Sequence, residues 1–403
     1  MTNMSAVPPL PLSFSGDRGQ FRRLVMRGAL LEFITAGFYR FWLATDIRRH
    51  LWSNTTMDDD TFEYTGRGKE LLIGFLFALA IMAPVYLAYF LVGLEVERLE
   101  TFASFPLIAF FYVFGQFASY RTRRYRLTRT VWRGVRFWMG GSGWSYAARS
   151  ALWLVATMLT LGLILPWREA ALERYKMRHS YYGELQGSFV GRGWDFFKEG
   201  WRLWLLALVP LGMAILLLLL EVLPPLSSLA STAALIAVAV ALFITLFTPF
   251  IYGAFKAAKW RWLIAGMRFG DVHLDSALQR GALVGLYWKV TGWSLLIAAV
   301  FSAYLLLCAV SIATLSHTPL AKAFTLANWQ GSLPMLVLAG IGYLALILLL
   351  NVVIRVYLLR DLWARLIGST MVYRIDAAAN VVVAGDPAGA VGEGLDGLDM
   401  AGF

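Results

Sequence analysis

Long apolar runs alternate with arginine-rich polar segments along this chain. A helix needs roughly 20 apolar residues to cross a bilayer core. Residues 71–94, 101–120, 203–220, 227–255, 290–316 and 332–354 meet or approach that length, and they predict six full transmembrane helices. Two further runs are poorer. Leu24–Leu43 holds Arg27, Glu32 and Arg40, and a charge at mid-bilayer costs about 2.5–3.5 kcal/mol on insertion scales. Ser150–Trp167 is uncharged but short, and Gly162 and Pro166 interrupt it. Both runs read as broken, re-entrant or interfacial segments.

These two runs belong to one pattern used twice. Thr35, Gly37, Trp42, Arg49, Gly66, Gly68 and Glu70 match Thr160, Gly162, Trp167, Arg174, Gly191, Gly193 and Asp195 at a constant offset of 125 residues. A fixed offset over so many positions reads as an internal duplication. Segments such as Phe189-x-Gly191-x-Gly193 predict an extended turn, glycines at positive φ and then a helix start. Gly-x-Gly before a helix is also a weak phosphate-binding signal.

Charge decides the topology. Residues 121–136 carry Arg121, Arg123, Arg124, Arg126, Arg129, Arg133 and Arg136 with no acid. Residues 168–199, 256–289 and 355–374 are also basic on balance. If all eight apolar runs crossed, basic segments would lie on both faces, against the positive-inside rule. With 24–43 and 150–167 dipping in and returning, the basic segments share one face. The linkers near Glu97, Pro224 and His317 then share the other, and both termini are cytoplasmic. The expected fold class is an all-α polytopic membrane protein with an internal parallel repeat and short β turns in the cytoplasmic loops. Its expected divisions are a flexible start (1–13), membrane repeats at 14–136 and 137–284, a degenerate helix pair with a basic tail at 285–383, and a disordered end at 384–403.

Composition agrees with a membrane protein. The chain of 403 residues is 59% hydrophobic and 15% charged, with mean hydropathy +0.62 and net charge +11; soluble domains average about 25% charged. Cys308 is the single cysteine, so an intramolecular disulfide is excluded. No basic n-region with a long apolar core opens the chain, so no cleavable signal peptide is expected. His50, His179, His273 and His317 lack metal-ligand spacing, and no Walker loop, nucleophile elbow or HExxH motif occurs. No cofactor, metal or nucleic-acid partner is expected, and no catalytic residue is assigned.

The Thr-x-Gly of each copy, the Pro-Trp that follows it in the second, the basic helix with Arg174-Tyr175, and Phe-x-Gly-x-Gly-x-Asp together resemble the YjgN-like family of bacterial inner-membrane proteins of unknown function. The resemblance covers roughly residues 14–375 and is strongest at 137–200. In the first copy Arg40-Phe41 replaces the Leu-Pro that precedes Trp. The resemblance implies a polytopic protein of the bacterial inner membrane and brings no established activity.

Candidate chemistry follows from the breaks. A broken helix leaves backbone groups unpaired, which lipid tolerates only beside protein or a wet cavity. Glu32, Thr35, Gly37, Thr160 and Gly162 are therefore the candidates to line a polar cavity. For Glu32 the competing reading is an ion pair with Arg27 or a neighbouring helix. Arg149 and Arg355 stand at span ends, where snorkelling explains them. Arg49, Arg123, Arg124, Arg174, Trp42 and Trp167 are the candidates to meet anionic lipid headgroups at the cytoplasmic face. Three functions stay open: a transporter, channel or lipid-handling protein; a non-catalytic scaffold or envelope-assembly factor; and a membrane enzyme acting on a lipid-linked substrate. A homo-oligomer is compatible with each.

Overall fold

The computed structural model describes residues 8–95, 100–222, 230–315 and 333–385. Two short strands, β1 (Leu10–Pro11) and β2 (Ser13–Phe14), come first. Helix pairs and strand pairs then alternate. The helices α1 (Arg18–Ile34) and α2 (Arg40–Ser53) lead to β3 (Thr55–Met57) and β4 (Asp60–Tyr64). Next come α3 (Gly68–Glu95) and α4 (Glu100–Thr128), with β5 (Thr130–Trp132) and β6 (Val135–Met139). The short pattern returns as α5 (Gly143–Leu159), α6 (Leu165–Arg178), β7 (Ser180–Tyr182) and β8 (Leu185–Phe189). The long one returns as α7 (Gly193–Val222), α8 (Ala230–Gly266), β9 (Met267–Phe269) and β10 (Val272–Ser276). The last pair is α9 (Val284–Leu315) and α10 (Leu333–Val353). It continues through a π-helical turn, Ile354–Arg360, and α11 (Asp361–Gly368) into β11 (Thr370–Tyr373).

All the strands join one 11-stranded sheet, antiparallel throughout, that runs in chain order from β2 to β11 and ends on β1. Leu10 pairs with Val372 of β11, and Ser13 pairs with Thr56 of β3. The Leu12 amide donates to the Thr370 carbonyl at 3.0 Å. One extended segment, 10–14, thus meets the last strand with its first half and the first hairpin with its second. The sheet is a nearly closed barrel, which leaves little free edge.

This corrects the all-α expectation. The strands are two to five residues long, too short for period-two alternation to stand out from the polar loops that hold them. The six expected spans are corrected as well. Among the described residues four helices are long and apolar enough to cross: Gly68–Phe90, Ala237–Gly266, Val284–Ser311 and Val337–Gly368. The expected spans 101–120 and 203–220 fall in α4 and α7. The first of these helices runs on unbroken through Arg121, Arg123, Arg124 and Arg126. The second opens with Lys198, Glu199 and Arg202. The expected linkers at Glu97, Pro224-Pro225 and His317, and the tail from 386, lie outside the described residues.

The barrel is filled. Met57, Trp132, Tyr182, Val272 and Val372, from five different strands, are buried together with Ile375 and Ala378 of the short turn after β11. The helix pairs stand on this base, and many of their outward apolar side chains are exposed, as expected of surfaces that face lipid.

Candidate functional site

The two broken segments are helix hairpins, and their turns use the same bonds. In α1–α2, the Thr35 hydroxyl donates to the Leu31 carbonyl at 2.7 Å and accepts from the Tyr39 amide at 2.9 Å. In α5–α6, the Thr160 hydroxyl donates to the Ala156 carbonyl at 2.9 Å and accepts from the Ile164 amide at 3.4 Å. The Gly37 amide reaches the Glu32 carbonyl at 2.7 Å, and the Gly162 amide reaches the Thr157 carbonyl at 2.8 Å. Ala36 and Gly37 sit at φ +50° and +89°, Leu161 and Gly162 at +48° and +85°. These bonds return many of the helix-end groups to partners inside the turn. The break therefore does not depend on a wet cavity to satisfy them. Alanine at Gly37 or at Gly162 is expected to cost about 1–2 kcal/mol for the left-handed backbone. Thermal unfolding in detergent checks this; two unchanged melting temperatures would remove the turn geometry as the reason for glycine.

The tips of both hairpins are apolar and uncovered. Leu30, Ile34 and Phe38 are exposed at the first, and Leu159 and Leu161 are 81% and 71% exposed at the second. An apolar point of this kind beside long apolar helices is suited to lipid rather than water.

Behind the tips, each hairpin is fastened to the next long helix. Arg49 donates to the Gly66 carbonyl and Arg174 to the Gly191 carbonyl, both at 3.4 Å. A Cβ on Gly68 would lie 2.8 Å from the Trp42 ring, and one on Gly193 would lie 2.9 Å from the Trp167 backbone. The glycines of Gly-x-Gly are thus required by close approach and not by positive φ, contrary to the sequence expectation. Among the headgroup candidates, Arg49, Arg174, Trp42 and Trp167 therefore have structural partners.

Much of the basic segment 121–136 is also engaged in the fold. Arg123 contacts the Met177 sulfur at 3.3 Å. Arg129 pairs with Glu70 at 3.1 Å, Arg133 with Asp58 at 2.7 Å, and Arg136 donates to the Thr128 carbonyl at 2.8 Å. Arg124 lies in the same helix, half-buried, and acts on Tyr120. Glu32 does not meet Arg27. It receives two bonds from Arg355 in the π-helical turn, at 2.7 and 3.3 Å, with both side chains 10% exposed. Arg149, the other span-end arginine, lies 4.4 Å over the Tyr175 ring.

Gly162 opens onto a cavity of about 330 Å³ between the second hairpin, α7 and α8. Pro166, Phe197, Trp204, Phe243 and Phe255 wall it, and the Trp204 indole donates to the Leu161 carbonyl at 3.3 Å. Its lining is almost wholly apolar. The α8 wall belongs to one of the four apolar helices. No residue of the first turn lines this cavity, so the cavity does not join the two breaks. The aromatic walls escaped the sequence reading because they resemble any lipid-facing surface. The spacing of Phe197, Gly200, Trp201 and Trp204 along α7 was the available signal.

Long apolar helices on a β base, with two short hairpins ending in bare apolar tips, define a protein partly embedded in a membrane. The model of a family described as bacterial protein of unknown function (DUF898) matches residues 9–298. The chain belongs to that family. Inner membrane protein YjgN of Salmonella typhimurium (strain LT2) is similar, with 26% identity over 153 residues, which is 38% of this chain and 36% of that protein. The match thus spans about a third of that relative's length. No solved structure matches.

Proposed function

We propose that this chain is a lipid-handling protein of the bacterial inner membrane, in which the cavity beside Gly162 receives an acyl chain. The observation that carries the reading is the apolar cavity itself, walled on one side by a hairpin tip and on another by an apolar helix. The hairpins are re-entrant: α1 and α5 have 17 residues each, about 25 Å at 1.5 Å per residue, short of a core of about 30 Å. They enter one leaflet and return. Each helix pair leaves one sheet and comes back to it, and both 10–14 and 370–373 lie in that sheet. Basic residues gather beside it, so the barrel and both ends of the chain face the cytoplasm. Two copies of one hairpin design, related by duplication, hold it at the headgroup level. The relative named as an inner membrane protein supports the location.

A second reading, a non-catalytic scaffold, draws on the filled barrel. A path along the barrel axis would meet Trp132, Tyr182 and their neighbours, so any transported molecule would move beside the barrel at the lipid face. The readings separate by photo-crosslinking in nanodiscs with a diazirine-bearing phospholipid. Adducts should concentrate on residues 196–207 and 243–255, and Ala207→Trp, which fills the cavity, should cut them at least about fivefold. Adducts spread evenly around the helices, and unmoved by Ala207→Trp, would remove the acyl-chain reading.

A further inference from the structure

The first hairpin carries a charged pocket that the second does not repeat. A recess of about 440 Å³ lies between α1 and α2, lined by Arg23, Arg27, Tyr39 and Asp46 together with Leu24 and Leu43. The helices meet closely here, since a Cβ on Gly28 would collide with the Leu43 side chain. Arg23 and Arg27 stand one turn apart on one face of α1, and both are exposed. Among the described residues neither has a hydrogen bond or an ion pair. Asp46 is half-buried, and its Oδ1 lies 3.6 Å from Arg49, too far for a hydrogen bond.

The second hairpin serves as a control within the chain. Helices α1 and α2 match α5 and α6 residue for residue at the offset of 125. Yet Arg23, Arg27, Tyr39 and Asp46 are replaced by Ala148, Leu152, Ile164 and Ala171. The second copy has Arg149 and Arg168 in the places of Leu24 and Leu43, and these are engaged by Tyr175 and Tyr112. The shared hairpin therefore does not need the charges of the first copy, and they are free to serve a ligand.

Depth and charge define that ligand. Arg27 and Arg23 precede Ile34 at the tip by seven and eleven residues, about 10 and 16 Å along the helix. Half of a hydrocarbon core is about 15 Å. With the tip near mid-bilayer, Arg23 lies at the edge of the hydrocarbon and Arg27 can snorkel up to it. Paired arginines suit a phosphate. An acid beside them opposes a ligand that is only anionic and asks for a cation on the same molecule. An ethanolamine phosphodiester has both, with oxygens that accept from arginine and a primary ammonium that donates to a carboxylate. Choline has no N–H to donate, and a glycerol phosphodiester has no cation.

We propose that this pocket binds the ethanolamine phosphodiester headgroup of a phospholipid, with the phosphate on Arg23 and Arg27 and the ammonium on Asp46. The site rests on the membrane entry of the first hairpin proposed above, and not on the acyl-chain cavity beside Gly162.

The test is native mass spectrometry of the whole protein in detergent, titrated with phosphatidylethanolamine, phosphatidylcholine or phosphatidylglycerol of identical acyl chains. The apparent Kd for phosphatidylethanolamine should be at least about fivefold below that for either other lipid, the scale of one exposed charge pair. Asp46→Asn should erase the preference over phosphatidylcholine, and Arg23→Gln with Arg27→Gln should weaken phosphatidylethanolamine binding at least about tenfold. In the Ala207→Trp protein, whose acyl cavity is filled, the preference should persist, so the two readings fail separately. Glycerophosphoethanolamine has the headgroup without acyl chains. If it displaces the bound lipid, the pocket is supported and a soluble diester is also its ligand; if it does not, a persisting preference supports the lipid alone. Equal affinity for the three lipids in the unmodified protein, or tighter phosphatidylglycerol, overturns the proposal without any variant. A preference that survives the double arginine substitution, or is lost in the Ala207→Trp protein, overturns it as well.

Discussion

Glu32→Leu is expected to destabilise the protein by about 3–5 kcal/mol, the range seen when one partner of a buried ion pair is removed. The pair is bidentate and both partners are nearly buried. Removing Glu32 leaves the Arg355 guanidinium, 10% exposed, with its charge unmatched next to the apolar cluster that Val356 joins. The double variant, Glu32→Leu with Arg355→Met, has no charge to strand. It should recover most of the loss, because well-packed apolar replacements of a buried pair are often neutral or better. Unfolding of the two single variants and the double one in detergent gives the cycle. If the double variant loses the sum of the single losses, the two residues are uncoupled and the pair does not hold the first hairpin to the last helix. If the double variant is stable yet inactive in cells that depend on the protein, Glu32 has a role beyond packing.

That pair is one of several contacts between the beginning and the end of the chain. Arg18 pairs with Asp361, the Trp363 indole donates to Thr55 at 2.9 Å, and the Trp52 and Trp363 rings stack at 4.7 Å. Phe21, Val25, Leu43 and Ile47 of the first hairpin are buried with Val356 of the π-helical turn. Below them, 10–14 pairs with both β11 and β3. The helix layer and the strand layer therefore close at the same place. The first hairpin, whose helix carries more charge than a lipid-dipping segment should, is also the one held by the last unit. Its Glu32 is matched by Thr157 at the offset of 125, where the Thr157 hydroxyl bonds the Trp153 carbonyl at 2.7 Å and no charge needs a partner.

Local features were legible in the sequence, and long-range partners were not. Thr-x-Gly marked both helix breaks because a left-handed turn needs glycine and the threonine hydroxyl can serve the helix end. Arg49 and Arg174 match by the offset of 125 in the sequence, and their bonds to Gly66 and Gly191 match too. The strands were hidden for a physical reason. Residues 55–64 hold Asp58-Asp59-Asp60 in a hairpin whose alternate side chains, Thr55, Met57 and Tyr64, turn inward. A strand of three residues shows no period. Arg355 stands 323 residues from Glu32, and no local pattern names such a partner. Glu173, 4% exposed and paired with Lys176, was missed because an acid three residues before a lysine reads as a surface helix pair. Its burial is decided by α4 and α8, which arrive from elsewhere in the chain.

Trp132→Ala is expected to cost about 3–5 kcal/mol, the usual range for a fully buried tryptophan. Trp132 is 1% exposed at the end of β5, with Tyr182 and Phe62 rings 5.8 and 6.2 Å away. Sequence alone places it among arginines, in a basic segment assigned to the cytoplasmic face. In the barrel it reaches the axis, where side chains from several hairpins meet. Its loss should loosen the base on which every helix pair stands, so unfolding should remain one transition at a lower temperature. Leu159→Ala is the matched control. It removes an apolar side chain of the second tip that is 81% exposed, and it should change stability in detergent by no more than about 0.5 kcal/mol. Thermal unfolding followed by circular dichroism compares them. A cost under about 1 kcal/mol for Trp132→Ala, or equal costs for the two, would mean that the barrel axis is not the core and that the helix pairs hold one another without it.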